Sequence, residues 1–160
     1  MIVVSNTSPV VNLAAIGRLD LLRQLYEKVL IPQAVYDEIV AGTTQPASEE
    51  VQIIEWVQSV QVTNRALVLV LRAELDEGEA EAIALALERQ ADLLLIDERR
   101  GRRVASRLGL RFLGLLGVLI DAKQRKFVPS VKPILDDLIV IAGFWVSRDL
   151  YGRVLEVASE

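Results

Sequence analysis

Apolar residues follow two rhythms along this chain. Short unbroken runs, "IVVS" at the start, then "KVLIP", "ADLLLIDE" and "LRFLG", carry β-branched or leucine-rich cores bounded by polar residues, the pattern of strands buried on both faces. Between them lie longer stretches in which apolar residues recur every third or fourth position: "RLDLLRQLYE", "PQAVYDEIVAG", "EEVQIIEWVQ", "DEGEAEAIALALERQ", "RRGRRVASRLG", "LLGVLIDAKQRKF" and "VKPILDDLIVIAG". These read as helices, the last two as buried ones.

Punctuation residues support the division. Ile2 to Ser5 reads as the first strand, Ser8 suits an N-cap, and Pro9 suits the first helical position, where its missing N–H does no harm. Pro32 opens a helix that places Val35 and Ile39 one turn apart and stops at Gly42. "TTQPAS", residues 43–48, resembles a flexible connection, and Gly109 closes the arginine-rich helix. The acid-rich first turn of the "DEGEAEA" helix is what the helix dipole favours. Strands alternating with helices predict an α/β fold, a mostly parallel central sheet flanked by helices, in a single domain over residues 1–160.

Composition narrows the chemistry. With 52% hydrophobic residues the chain is rich in apolar side chains, yet its longest apolar runs, Phe112 to Ile120 and Leu138 to Val146, fall short of the ~18 residues of a membrane span. They read as core first, any surplus serving as a dimer interface. The N-terminus has neither a basic flank nor a small-residue cleavage site, which gives a cytoplasmic expectation. The chain contains no cysteine and no histidine, so thiol nucleophiles, thiolate zinc sites and imidazole bases are excluded, and carboxylates must carry any acid, base or metal chemistry. Net charge is −4, but six arginines gather at 99, 100, 102, 103, 107 and 111.

In open α/β sheets ligands bind beyond the carboxyl ends of the strands. Asn6 follows the first strand, and Asp97 and Glu98 follow "LLLI". Glu79, in the first turn of its helix, and Glu38, on the helix after Pro32, can converge on the same rim. Two carboxylates within ~4 Å repel by about 4 kcal/mol at an effective dielectric near 20, which a shared proton, an arginine or a divalent cation must offset. An all-oxygen site selects Mg²⁺ or Mn²⁺, ions that activate water and neutralise a phosphoryl group. Arginines starting at Arg99 can then hold a phosphodiester backbone. Each residue also has a plainer role: Asn6, Thr7 and Ser8 as a helix-start turn, Glu38 as a solvated side chain, Glu79 and Glu81 as complements to a helix N-terminus, and the arginines as an exposed helix face.

Taken together, "VVSNTSPVVNLAAIGRLDLL", "LIPQAVYDEIV", "LDEGEAEAIALALE", "LLLIDERRGRRVASRLGLRFLGLLGVLIDAK" and "GFWVSRDLYGRVLEVASE" resemble a bacterial and archaeal branch of the PIN-domain superfamily, similar to the toxins of toxin–antitoxin pairs. The resemblance implies a Rossmann-like PIN fold, a Mg²⁺- or Mn²⁺-dependent endoribonuclease, and a homodimer neutralised by a small antitoxin. It also implies acidic site positions at Asn6, Glu38, Glu79 and Asp97, with Glu98 or Glu81 as supplements, and RNA held by Arg99, Arg100, Arg102 and Arg103. Asn6 departs from the pattern: an amide offers one neutral oxygen and no charge where the family has an acid. That departure motivates an alternative, a PIN-like module that binds RNA or a protein without cutting. A small phosphatase using the same rim is a third reading, against which stands the lack of a Gly-rich phosphate loop.

Overall fold

A computed structural model describes residues 1–42 and 45–160. Among these, the chain forms β1 (Val3–Ser5), α1 (Thr7–Ala15), α2 (Asp20–Tyr26), β2 (Val29–Pro32), α3 (Gln33–Ala41), α4 (Gln45–Ile53), β3 (Val57–Val60) and α5 (Arg65–Leu71). It continues with α6 (Glu77–Glu88), β4 (Leu93–Leu95), α7 (Arg99–Arg107), β5 (Phe112–Leu113), α8 (Leu115–Gln124), α9 (Lys132–Val140) and α10 (Arg148–Val157). The fold is α/β, with the five strands in one parallel sheet ordered β3-β2-β1-β4-β5.

Alternation along each central strand explains the unbroken apolar runs. Val3, Val29, Ile31, Leu93 and Leu95 face one core with α1, α2, α3, α8 and α9, while Val4, Leu30, Leu94 and Ile96 face a second with α5, α6 and α7. Both faces are covered, so both sets of positions must be apolar. The strand order reverses between β1 and β4, which pair in register from Val3 opposite Leu93 to Ser5 opposite Leu95. At such a reversal the helices leave the sheet on opposite sides and open a crevice past the strand ends.

Local signals start and stop the helices around that crevice. The Asp76 side chain caps α6 by accepting the Glu79 N–H at 2.8 Å. Gly109, at φ +74°, ends the turn after α7, and the Leu110 N–H closes back on the Ala105 carbonyl. Gly101 sets how near α7 can come: a Cβ there would lie 2.5 Å from Ile96 Cδ1, so only glycine lets the first turns of α7 rest on the end of β4.

Four expectations change. Asn6, in extended backbone, is the N-cap of α1, not Ser8; Pro9 therefore sits third in the helix, still among the N–H groups that have no intrahelical partner, and the Ser8 hydroxyl points elsewhere. Of the expected connection over 43–48, Thr43 and Thr44 lie outside the described residues, and α4 begins at Gln45. The helical reading of "EEVQIIEWVQ" ends at Ile53, and Val57–Val60 is instead an edge strand against β2; only Val57 is buried in it, so it lacks the continuous apolar run of its neighbours. The run Leu138 to Val146, expected as core, is divided: Leu138 is buried, whereas Val140, Ile141 and Trp145 are exposed, because α9 turns only one face to α1. Among the described residues no helix is long and apolar enough to cross a membrane.

Candidate active site

The crevice between the ends of β1 and β4 holds a cleft of about 400 Å³ lined by Asn6, Thr7, Glu38, Asp76, Glu79, Glu98 and Arg100. Asn6 leaves β1 with its N–H bonded to the Leu95 carbonyl at 2.9 Å, which locks the end of β1 to the end of β4. Its side chain faces the first turn of α6. There Gly78 makes room, since a Cβ would stand 2.9 Å from Glu38 Oε2 and 3.7 Å from Asn6 Oδ1. Glu38 projects from α3, and its Oε2 accepts the Thr7 hydroxyl at 2.9 Å. Hence the amide and the carboxylate meet over the α6 N-terminus, where the partial positive charge of the backbone favours oxygen ligands.

Glu79 is the most perturbed acid of the cleft. It is only 4% exposed, and its Oε2 is buried without a hydrogen-bond partner. Burial, then the neighbouring Asp76 and Glu98 carboxylates, push its pKa up to about 7, with Arg100 opposing. A carboxylate so placed calls for a proton or a cation.

Asp97 lies beside this cleft rather than in it. Its carboxylate accepts the Ser8 hydroxyl at 3.0 Å and the Leu115 N–H, the first of α8, at 2.7 Å. Burial raises its pKa; the Leu115 and Ser8 hydrogen bonds and Arg102 work against that rise. Asp97 opens onto a second cleft of about 740 Å³, and the two clefts share Ser8, Asn12 and Glu98. Asn12 holds Ser8 in place, its Nδ2 donating to Ser8 Oγ at 3.0 Å.

The remaining candidates separate. Glu81, as buried as Glu79, accepts the Ala34 N–H at 3.0 Å and Arg65 at 2.9 Å, so it ties α6 to α3 and α5. Arg100 lines the acidic cleft, Arg99 and Arg102 the second, and Arg99, Arg102 and Arg103 a shallow groove along α7. Arg107 is paired with Glu74 at 2.7 Å, and Arg111 faces a different cavity near Met1. In the sequence the only marks of Thr7, Ser8 and Asp76 are the dense polar run "SNTSP" and the acid preceding "EGE", and Asn12 carries no mark at all.

A parallel 3-2-1-4-5 sheet with acids gathered past its β1 and β4 ends is a doubly wound α/β fold whose ligand crevice, at the switch in strand order, is acidic. A family model described as a PIN domain matches residues 2–160, and the chain belongs to that family. No curated protein matches it significantly. PIN domains generally use divalent metals.

Among the described residues no three acidic side chains stand close enough to hold a cation together. Mg²⁺, however, is commonly bound through one or two carboxylates, with water and substrate phosphates completing its shell. The partnerless Oε2 of Glu79 with one further carboxylate of the cleft, Glu38 or Glu98, and the neutral Asn6 oxygen on the same lining make an oxygen-only set of that size.

Proposed function

We propose that the protein is a Mg²⁺- or Mn²⁺-dependent endoribonuclease of the PIN toxin type. The observation that carries this reading is the buried, partnerless Glu79 oxygen in a cleft with Asn6, Glu38 and Glu98 at the reversal of strand order. Glu79, Glu38 and Asn6 would hold the ion, with Glu98 at the cleft wall and Asp97 at its edge. When bound, the ion lowers the pKa of a water and neutralises charge on the phosphoryl group.

The chain's own groups do the rest. Arg100 faces the cleft from α7, and Arg99, Arg102 and Arg103 extend a line of cations away from it that suits a phosphodiester backbone. Glu79, titrating at about 7 in the metal-free protein, would lose its proton as it takes up the ion. In the toxin-type setting a small antitoxin covers the cleft and the chain forms a homodimer; Leu69 and Val70, exposed on α5, supply apolar surface for association. The test is cleavage of single-stranded RNA by purified protein in Mn²⁺, abolished by chelator and by Glu79→Gln.

Asn6 favours a second reading, a module that binds RNA or protein without cutting. It is distinguished by Asn6→Asp: on the nuclease reading this variant cuts RNA at least as fast as wild type, whereas a wild type that binds RNA in chelator and never cuts supports the module.

A further inference from the structure

The acidic cleft does not end at Glu98. Through Ser8, Asn12 and Glu98 it runs on into the larger cleft beside Asp97, and that second space differs in character. Its cations are Arg99 and Arg102, and its far wall is the turn between α9 and α10. Gly143, at φ +73°, reverses the chain there, the Phe144 N–H closes on the Leu138 carbonyl at 2.9 Å, and the next residue, Trp145, stands 82% exposed.

The indole stands open to solvent on the wall of that cleft. The floor below it is cleared by Gly114, where a Cβ would fall 3.0 Å from Asp97 Oδ1 and 3.7 Å from Arg102 Nη1. Arg102 itself is held over the Phe112 ring, 5.2 Å from its centroid, so its guanidinium is positioned rather than free to sweep. An apolar face, two cations of which Arg102 is held in place, and an uncrowded floor match one chemistry: a flat aromatic base carrying phosphate.

Resting on the ribonuclease reading, we propose that Trp145 is a stacking platform for an unpaired base of the RNA substrate, with Arg99 and Arg102 on the adjoining phosphates. The strand then runs from this base past Asp97 into the acidic cleft, so the platform selects single-stranded over duplex RNA and fixes which linkage reaches the carboxylates. A second copy of the chain or a partner protein would need the apolar surface alone; the arginines sharing the cleft favour a polyanion.

The test is equilibrium binding of a short labelled single-stranded oligoribonucleotide, with Ca²⁺ replacing Mn²⁺ to hold the strand uncut, followed over a range of salt. Trp145→Ala weakens binding roughly tenfold with an unchanged salt slope, Trp145→Phe retains most of the affinity, and Arg102→Ala lowers the salt slope by about one phosphate contact. Wild-type tryptophan emission is quenched by the single strand and not by the same sequence as a duplex, and the quench is lost in Trp145→Phe. Unchanged affinity in Trp145→Ala, with RNA still cut, overturns the platform and leaves the nuclease standing. Loss of self-association in Trp145→Ala with RNA affinity intact also overturns it and assigns the surface to a second copy. A wild type that binds no RNA overturns both.

Discussion

Replacing Glu79 with glutamine keeps the shape of the side chain and removes its charge. In the folded protein its carboxyl titrates at about 7, against 4.5 when unfolded, chiefly through burial and then through Asp76. The native state therefore prefers the protonated form: Glu79 contributes its full stability below pH 4.5 and loses it as pH rises through 7. A shift of that size corresponds to about 3 kcal/mol, and at 4% exposure little of it is screened by solvent. Glutamine mimics the protonated form at every pH. Glu79→Gln should thus be close to wild type in acid and more stable in alkali by ~3 kcal/mol, a rise in Tm of roughly 6–12 °C for a domain of this size. Metal-free thermal unfolding of both proteins across pH reads the difference directly. A Tm gap that is the same in acid and alkali, or absent in both, would refute the view that burial and the neighbouring acids outweigh Arg100 at this carboxyl.

Other predictions concern neighbouring parts of the molecule. Gly101→Ala forces a Cβ to within 2.5 Å of Ile96 Cδ1 and should destabilise by about 1–3 kcal/mol in urea unfolding, while reducing RNA cleavage because α7 carries the arginines. Ser8→Ala removes one of the two hydrogen bonds that the Asp97 carboxylate accepts, so the Asp97 pKa should rise further, measurable by carboxyl NMR. Glu160 accepts from Ser130, Val131, Lys132 and Lys123, and the Ser130 hydroxyl foremost holds its pKa down to about 2. Its contribution is present above pH 4.5 and is lost as pH falls toward 2. Glu160→Ala should accordingly lower Tm near neutrality and converge with wild type in strong acid, as scanning calorimetry would record.

Much of this was readable from residue order, for identifiable reasons. Strands β1, β2 and β4 announced themselves because helices cover both faces of the sheet, leaving no position for a polar residue until the strand ends; the same rule exposed Asn6 and Asp97. Both edges are less buried, but β5 keeps two adjacent apolar residues, Phe112 and Leu113, whereas β3 interrupts its run with Gln58 and Ser59 and buries only Val57. Glu79 and Glu81 look equivalent in sequence, but two residues on a helix project about 200° apart. One therefore enters the acidic cleft and the other anchors Ala34 and Arg65. The role of Ser8 depends on an acid 89 residues away, and only the parallel pairing of β1 with β4 brings the two together. Trp145 sits in an apolar run that reads as core, yet Gly143 turns the chain outward just before it.

The most direct test is a calorimetric titration of Mn²⁺ near neutral pH, on wild type, Asn6→Asp, Asp97→Asn and Glu79→Gln, in two buffers of different ionisation enthalpy. A metal-dependent PIN nuclease gives binding in wild type with partial proton release, since the ion displaces the proton of a Glu79 titrating at about 7 and the buffer takes it up. Asn6→Asp should bind more tightly, Asp97→Asn more weakly, and Glu79→Gln should lose both the binding and the proton. No binding heat in the wild type, or undiminished binding by Glu79→Gln, would contradict the assignment of this cleft as the metal-dependent active site.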